Sequence, residues 1–238
     1  MLHLRKGPTS LGCGALPRDS ADIKTWDTWH NTGLFYGITT NPTILERDGV
    51  KCGVKALSVL ALSAFERGAL EVQLQAWGDN ASKMTSNALS LAGIDPRRIV
   101  VKLPATADGL QTAALLRDAG IRVTITGMYM PHQVLLAEAV GAEYAAPYLG
   151  RMNDLSPGQG TAGVEQMQAV LRAHGAQCRL LVASLRDPSE LAQLSAKGCD
   201  TFTISPAVTS KMFAVESTIQ AAADFEDAAR RMGSHEDC

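Results

Sequence analysis

The sequence predicts an α/β fold, a (β/α)8 TIM barrel with an extra C-terminal helix, and three observations predict it. Short apolar runs alternate with helix-patterned stretches along most of the chain. The repeat is about 25 to 30 residues per strand–helix unit, the spacing a barrel of this kind needs. The composition also fits, since 46% of the 238 residues are hydrophobic but only 5% are aromatic, with alanine, leucine and glycine common. Such a chain suits helices packed closely on a sheet better than an all-β sandwich. An open doubly wound sheet shares the alternation. Its dinucleotide-binding form needs G-x-G-x-x-G after the first strand, whereas only "GCG" stands there and "GQG" falls in a later loop. The barrel is therefore preferred.

Taken in order, the first strand is the weakest, because "CGALP" (13–17) contains a proline that cannot donate to a ladder. "DSADIKTWDTW" follows it and reads as a helix with acidic residues in its first turn. The other strands are "LFYGI" (34–38), "EVQLQA" (71–76), "RIVVKL" (98–103), "RVTIT" (122–126), "YAAPY" (144–148), "RLLVAS" (179–184) and "TFTIS" (201–205). Between them, "DNASKMTSNALSLAG" places Ala81, Met84, Ala88 and Leu91 on one helical face. It ends at Gly93, as "TADGLQTAALLRDAG" ends at Gly120 and "SELAQLSAKG" at Gly198. Each glycine is expected to supply a left-handed cap. "GRMNDLSPGQGTAG" (150–163) reads as the longest flexible stretch and as an active-site loop. The domain reading is a leader over 1–17, a barrel over 18–215 and a C-terminal helix and tail over 216–238.

A net charge of -2 gives no reason to expect nucleic acid or an anionic membrane, and no apolar run has transmembrane length. The five cysteines are odd in number, scattered and without a C-x-x-C pair, which points to a reducing compartment. The reading is cytoplasmic, or plastid if residues 1–17 are the remnant of a transit peptide. The histidines lack metal-ligand spacing, and no metal is expected.

In a barrel the chemistry sits at the C-terminal ends of the strands. Strand two there ends in Thr39, Thr40 and Asn41, stopped by Pro42. The other ends carry Gln75, Lys102, Thr126, Tyr148 with Arg151 beyond, Ser184 with Arg186 beyond, and Ser205; Asp19 follows the first strand. Lys102 stands out, because it follows "IVV" and precedes "LP", which buries its stem. Desolvation lowers a lysine pKa, and the neutral amine can form a Schiff base with a carbonyl. Taken alone, Lys102 also reads as a lysine snorkelling from a strand end.

"GITTNPTIL" (37–45) resembles the first signature of the transaldolase family, and "VVKLPATADG" resembles its second, the segment with the Schiff-base lysine. "GAEYAAPYLGRM", "LVASLRDP" and "GCDTFTISPAV" resemble its short subgroup, which contains fructose-6-phosphate aldolases and short bacterial transaldolases. The resemblance runs from about residue 19 to 230. It implies a class I aldolase barrel without metal or cofactor, acting on sugar phosphates. By motif position, Lys102 forms the imine and Asp19 shuttles protons. Gln75 and Thr126 position a catalytic water, and Tyr148 acts through it as acid and base. Thr39 and Asn41 hold donor hydroxyls. Arg151, Ser184 and Arg186 bind the acceptor's phosphate, although Arg186 also reads as a solvated loop charge.

One departure stands out: the family pattern has an apolar strand before its aspartate, where this chain has "ALPRDS". The functional expectation is cleavage or transfer of a dihydroxyacetone unit, as fructose-6-phosphate aldolase or transaldolase. The alternative is a catalytically silent barrel that binds sugar phosphates or acts as a scaffold. The segment after strand eight carries more helix than a closing turn needs, with Phe213, Val215, Ile219, Ala222, Ala223 and Phe225 apolar. The subgroup resembled implies a homo-pentamer or decamer joined through this helix.

Overall fold

The computed structural model describes residues 4–5, 26–28 and 32–233. Asp19, the first expected strand and most of the helix expected after it lie outside the described residues; of that helix, residues 26–28 are helical and Trp26 is fully buried.

The centre is a curled parallel sheet of six strands in sequential order, amounting to a half-barrel. Its strands are β2 (Gly37–Thr39), β3 (Glu71–Gln75), β4 (Ile99–Pro104), β5 (Val123–Met128), β6 (Tyr144–Pro147) and β7 (Arg179–Leu180). A short β8 (Thr201–Phe202) meets the β7 side through an isolated parallel bridge, Val182 to Phe202. The backbone of β1 (Leu4–Arg5) pairs antiparallel with β8. Closure by eight parallel strands is not seen among the described residues.

Helices connect the strands. α1 (Pro42–Arg47) and α2 (Val54–Glu66) follow β2, α3 (Ala81–Ala92) follows β3, α4 (Ala107–Asp118) follows β4, and α5 (Gln133–Ala139) follows β5. α6 (Leu149–Leu155) and α7 (Gln159–His174) follow β6, α8 (Pro188–Ala196) follows β7, and α9 (Pro206–Phe213) and α10 (Glu216–Arg231) follow β8. Their starts are written in the sequence. Asn41, Asn80, Thr106, Asp187 and Ser205 each cap a helix with a side-chain oxygen. Asp187 and Glu190 form a full capping box. No helix among the described residues is long and apolar enough to cross a membrane.

Three expectations need correction. Residues 150–163 are not a flexible loop, because α6 and α7 occupy nearly all of them. Their glycines serve close packing. A Cβ on Gly160 would come 2.6 Å from Leu149 O, and one on Gly163 would come 2.7 Å from the Met152 methyl. Second, Gly93 ends α3 in right-handed geometry (φ -65°), whereas Gly120 and Gly198 have the expected positive φ. Third, the regular part of "RLLVAS" is two residues long, and Val182 and Ala183 continue it only as single bridges.

Inside the curl, the N-terminal ends of the strands form a polar floor. Glu71 is fully buried and accepts from Gln73 Nε2 at 2.8 Å, from Tyr144 Oη at 3.4 Å and from Arg122. Arg122 also grips Glu143 through Nε (2.6 Å) and Nη2 (2.8 Å). Burial opposes the Arg122 charge, but the Glu143 hydrogen bond and the Glu71 charge hold its pKa above the ordinary arginine value. Thr124 Oγ1 donates to Gln73 Oε1 at 2.8 Å, carrying the network one layer upward.

Candidate active site

Above this floor, the C-terminal ends of the strands enclose a cavity. It is lined by Thr39, Asn41, Lys102, Thr126, Ala146, Tyr148, Arg151, Leu181, Ala183, Ser184 and Thr203. Lys102 is 4% exposed, and its Nζ donates to Thr40 O at 3.1 Å. The stem is buried because Lys102 lies on a central strand, opposite Gln75 on one side and Thr124 on the other. The amine shares the cavity lining with the hydroxyls of Thr39, Thr126, Tyr148 and Thr203, so a carbonyl compound bound there would lie within its reach.

Around it, Thr126 Oγ1 donates to Tyr148 Oη at 3.0 Å. Thr39 and Thr203 touch through their hydroxyls at 3.2 Å, joining β2 to the segment after β8. Asn41 lines the cavity while its Oδ1 accepts from Ile44 N at 3.0 Å as the α1 cap. That leaves its amide N–H groups for a ligand. Arg151 lies 5.0 Å over the Tyr148 ring and donates to Tyr129 Oη at 3.3 Å. The Tyr129 ring meets Tyr148 edge-on at 5.7 Å.

Ser184 has φ +62°, a left-handed conformation that a residue with a side chain rarely adopts. Its carbonyl accepts from Gly150 N at 3.0 Å, and a Cβ on Gly150 would overlap that oxygen. A glycine is thus required for this approach.

Two expected residues are placed apart from this group. Gln75 is half-buried, donates to Ala76 O at 3.4 Å and does not line the cavity. Arg186 does not line it either. Its guanidinium is held by Asp154, through Nη1 to Oδ1 at 2.7 Å and through Nη2 to Oδ2. That hydrogen-bonded ion pair lowers the Asp154 pKa and raises that of Arg186. Sequence reasoning missed Thr203 and Gln73. Both had a signal: alternation sets Thr201, Thr203 and Ser205 on one face, and Glu71, Gln73 and Gln75 on another.

The fold and the cavity define an α/β protein of barrel type with a lysine-centred polar site at the C-terminal ends of its parallel strands. A family model described as transaldolase/fructose-6-phosphate aldolase matches residues 17–237. The chain belongs to that family. Among its relatives, a "Probable transaldolase" of Geobacter sulfurreducens is 33% identical over 186 residues, covering 78% of this chain and 84% of that protein. One of Caulobacter vibrioides is 33% identical over 196 residues, covering 82% and 87%. One of Syntrophobacter fumaroxidans is 32% identical over 186 residues, covering 78% and 83%.

Proposed function

We propose that this chain is a class I aldolase acting on ketose phosphates, either as a transaldolase or as a fructose-6-phosphate aldolase. One observation carries the reading: the nearly dry Lys102 amine at the base of a cavity lined by hydroxyls and an arginine. A silent scaffold is not favoured, since the family is one of enzymes and the lysine is retained.

In this reading Lys102 Nζ attacks the ketose C2 carbonyl, and loss of water gives an imine. The imine accepts the electron pair of the C3–C4 bond as a base takes the C4 hydroxyl proton and the aldehyde leaves. The remaining enamine is protonated at C3 and its imine hydrolysed, which releases dihydroxyacetone, or it attacks a second aldehyde, whose oxygen takes up a proton, and hydrolysis of the new imine releases the product ketose and frees the lysine. Tyr148, held by Thr126, handles protons through a water, and Asp19 shares that work. Thr39 and Asn41 hold the donor. Ser184 and Arg151 face the acceptor's phosphate, which a guanidinium fork suits. The placement of Gln75 argues against giving it the catalytic water.

The closed eight-strand barrel belongs to the same reading, supported by six sequential parallel strands and the Thr39–Thr203 contact. So does a ring of subunits. α10 has no buried residue, and Val215, Ile219, Ala222, Phe225, Ala229 and Met232 follow one another at spacings of three and four. Ile219 is 59% and Phe225 is 72% exposed, leaving an apolar stripe to be covered by a neighbour. A reducing cytoplasm suits the free thiols of Cys52, Cys178 and Cys199.

Borohydride reduction in the presence of fructose 6-phosphate tests the chemistry. The expected result is a stable adduct on Lys102, absent from Lys102→Ala and from Lys102→Arg, whose guanidinium cannot attack. Substantial turnover by Lys102→Ala would overturn the assignment.

A further inference from the structure

Among the hydroxyls that line the cavity, that of Thr203 has no part in the reaction described above. It stands at a seam. β2 and β7 are the two ends of the six-strand order, and Thr203 is carried on the β7 side, where its N–H donates to Val182 O at 2.8 Å. Its Oγ1 lies 3.2 Å from Thr39 Oγ1, on β2. Thr39 and Thr203 are each 1% exposed. The backbone on the β2 side is held as well. Thr40 N donates to Gln73 O at 3.1 Å, and Thr40 O accepts from Lys102 Nζ at 3.1 Å. With the main chain fixed on both sides of the seam, the freedom left to the Thr39 side chain is its χ1 torsion. In a threonine that torsion decides whether the hydroxyl or the methyl faces a given direction. A hydroxyl partner selects among these rotamers. Such a partner is not automatic at this strand tip, since the Thr40 hydroxyl is buried and has no hydrogen-bond partner among the described residues.

We propose that Thr203 is a positioning residue of the active site, whose hydroxyl fixes the rotamer and the proton of the Thr39 hydroxyl and so sets that wall of the cavity before substrate arrives. The inference rests on the aldolase reading above, in which Thr39 holds a hydroxyl of the ketose. In the pair one oxygen donates and the other accepts, so removing one hydroxyl changes what the other can offer a ligand. A wall set in advance spares the bound sugar the cost of ordering it. The ketose meets Thr39 in the ground state and in the transition state alike, so the loss falls on KM more than on kcat.

The test replaces Thr203 in the full chain by valine, which keeps the branched shape and removes the hydroxyl. Turnover of fructose 6-phosphate, alone and with erythrose 4-phosphate as acceptor, is measured together with borohydride trapping on Lys102 and the thermal midpoint. The expected result is a rise of about fivefold in KM, the worth of one neutral hydrogen bond, with a smaller change in kcat. Thr203→Ser, which keeps the hydroxyl, restores the parent KM. Thr39→Val also raises KM, and adding Thr203→Val to it brings no further rise, because the two hydroxyls act as one. Additive effects would mean that Thr203 meets the sugar by itself, and would overturn the proposal. A lower thermal midpoint with an unchanged KM would overturn it too, leaving the pair a clasp between strands. If the valine variant does not fold, Thr203→Ala carries the same expectations. A parent that turns over nothing and forms no borohydride adduct sinks the aldolase reading and this proposal with it, whereas an active parent whose KM ignores Thr203→Val sinks the proposal alone.

Discussion

Replacing Arg122 by methionine would strip the polar floor of its cation. Glu71 is fully buried, and the change takes away its Arg122 guanidinium while the bonds from Gln73 Nε2 at 2.8 Å and Tyr144 Oη at 3.4 Å remain. Breaking a buried ion pair by removing one partner costs about 3–5 kcal/mol, because the other charge is stranded. Arg122 is 25% exposed, so part of its charge is already solvated, and the lower end, about 3 kcal/mol, is expected. Loss of its bond to Arg97 O adds little at an exposed site. Glu71→Gln should cost about 1–2 kcal/mol, since the amide fills the same space but loses a charge-assisted bond. Combining the two removes the carboxylate that has lost its Arg122 partner, so the double variant should be about 2 kcal/mol more stable than the sum of the singles. Urea unfolding at pH 7 and fixed protein concentration reads this as a shift in midpoint at constant slope. A cost below about 1 kcal/mol for Arg122→Met would refute the view that the floor depends on this pair.

Three further changes have definite expected outcomes. A Cβ on Gly109 would overlap Pro104 O at the end of β4, so Gly109→Ala should destabilise by about 1–3 kcal/mol and lower turnover by shifting the Lys102 strand, both read on one preparation; wild-type activity would show that the helix start can yield. Burial pushes the Cys178 and Cys199 thiols up to about 12 from 9.0. Because the folded values are raised, their stabilising contribution is complete below pH 9 and is lost as pH climbs from 9 toward 12. Replacing both by alanine should flatten the alkaline fall in thermal midpoint, and an unchanged fall would assign it to other groups. A chain cut after Phe213 should give a smaller particle than the full chain by native mass measurement, whereas a full-length monomer would sink the ring proposal without touching the chemistry.

The sequence was most legible where one residue settles one local conformation. Asn41 before Pro42 marked the strand end and became the α1 cap, which gathers Thr39 and Asn41 at the mouth. Lys102 between apolar neighbours was read as buried, and it is. Depth along a strand was harder. Gln73 and Gln75 share a face by alternation, and only the packing of β3 against its neighbours separates a fully buried amide from a half-exposed one. Glycine was ambiguous in the same way. At Gly160 and Gly163 it meant close approach between α6 and α7, which depends on tertiary packing and not on local backbone preference. The pairing of Arg186 with Asp154 spans 32 positions, and no local pattern announces it.

None of the sixteen residues of α10 is buried. A helix of that length is marginal when isolated in water. In the proposed ring its order is supplied by a neighbour, and the winding of Glu216–Arg231 becomes a gauge of subunit concentration. On dilution, amide protons in that helix should begin to exchange while those of β4 remain protected. The end of the chain would melt first and report the loss of a neighbour before the barrel registers it.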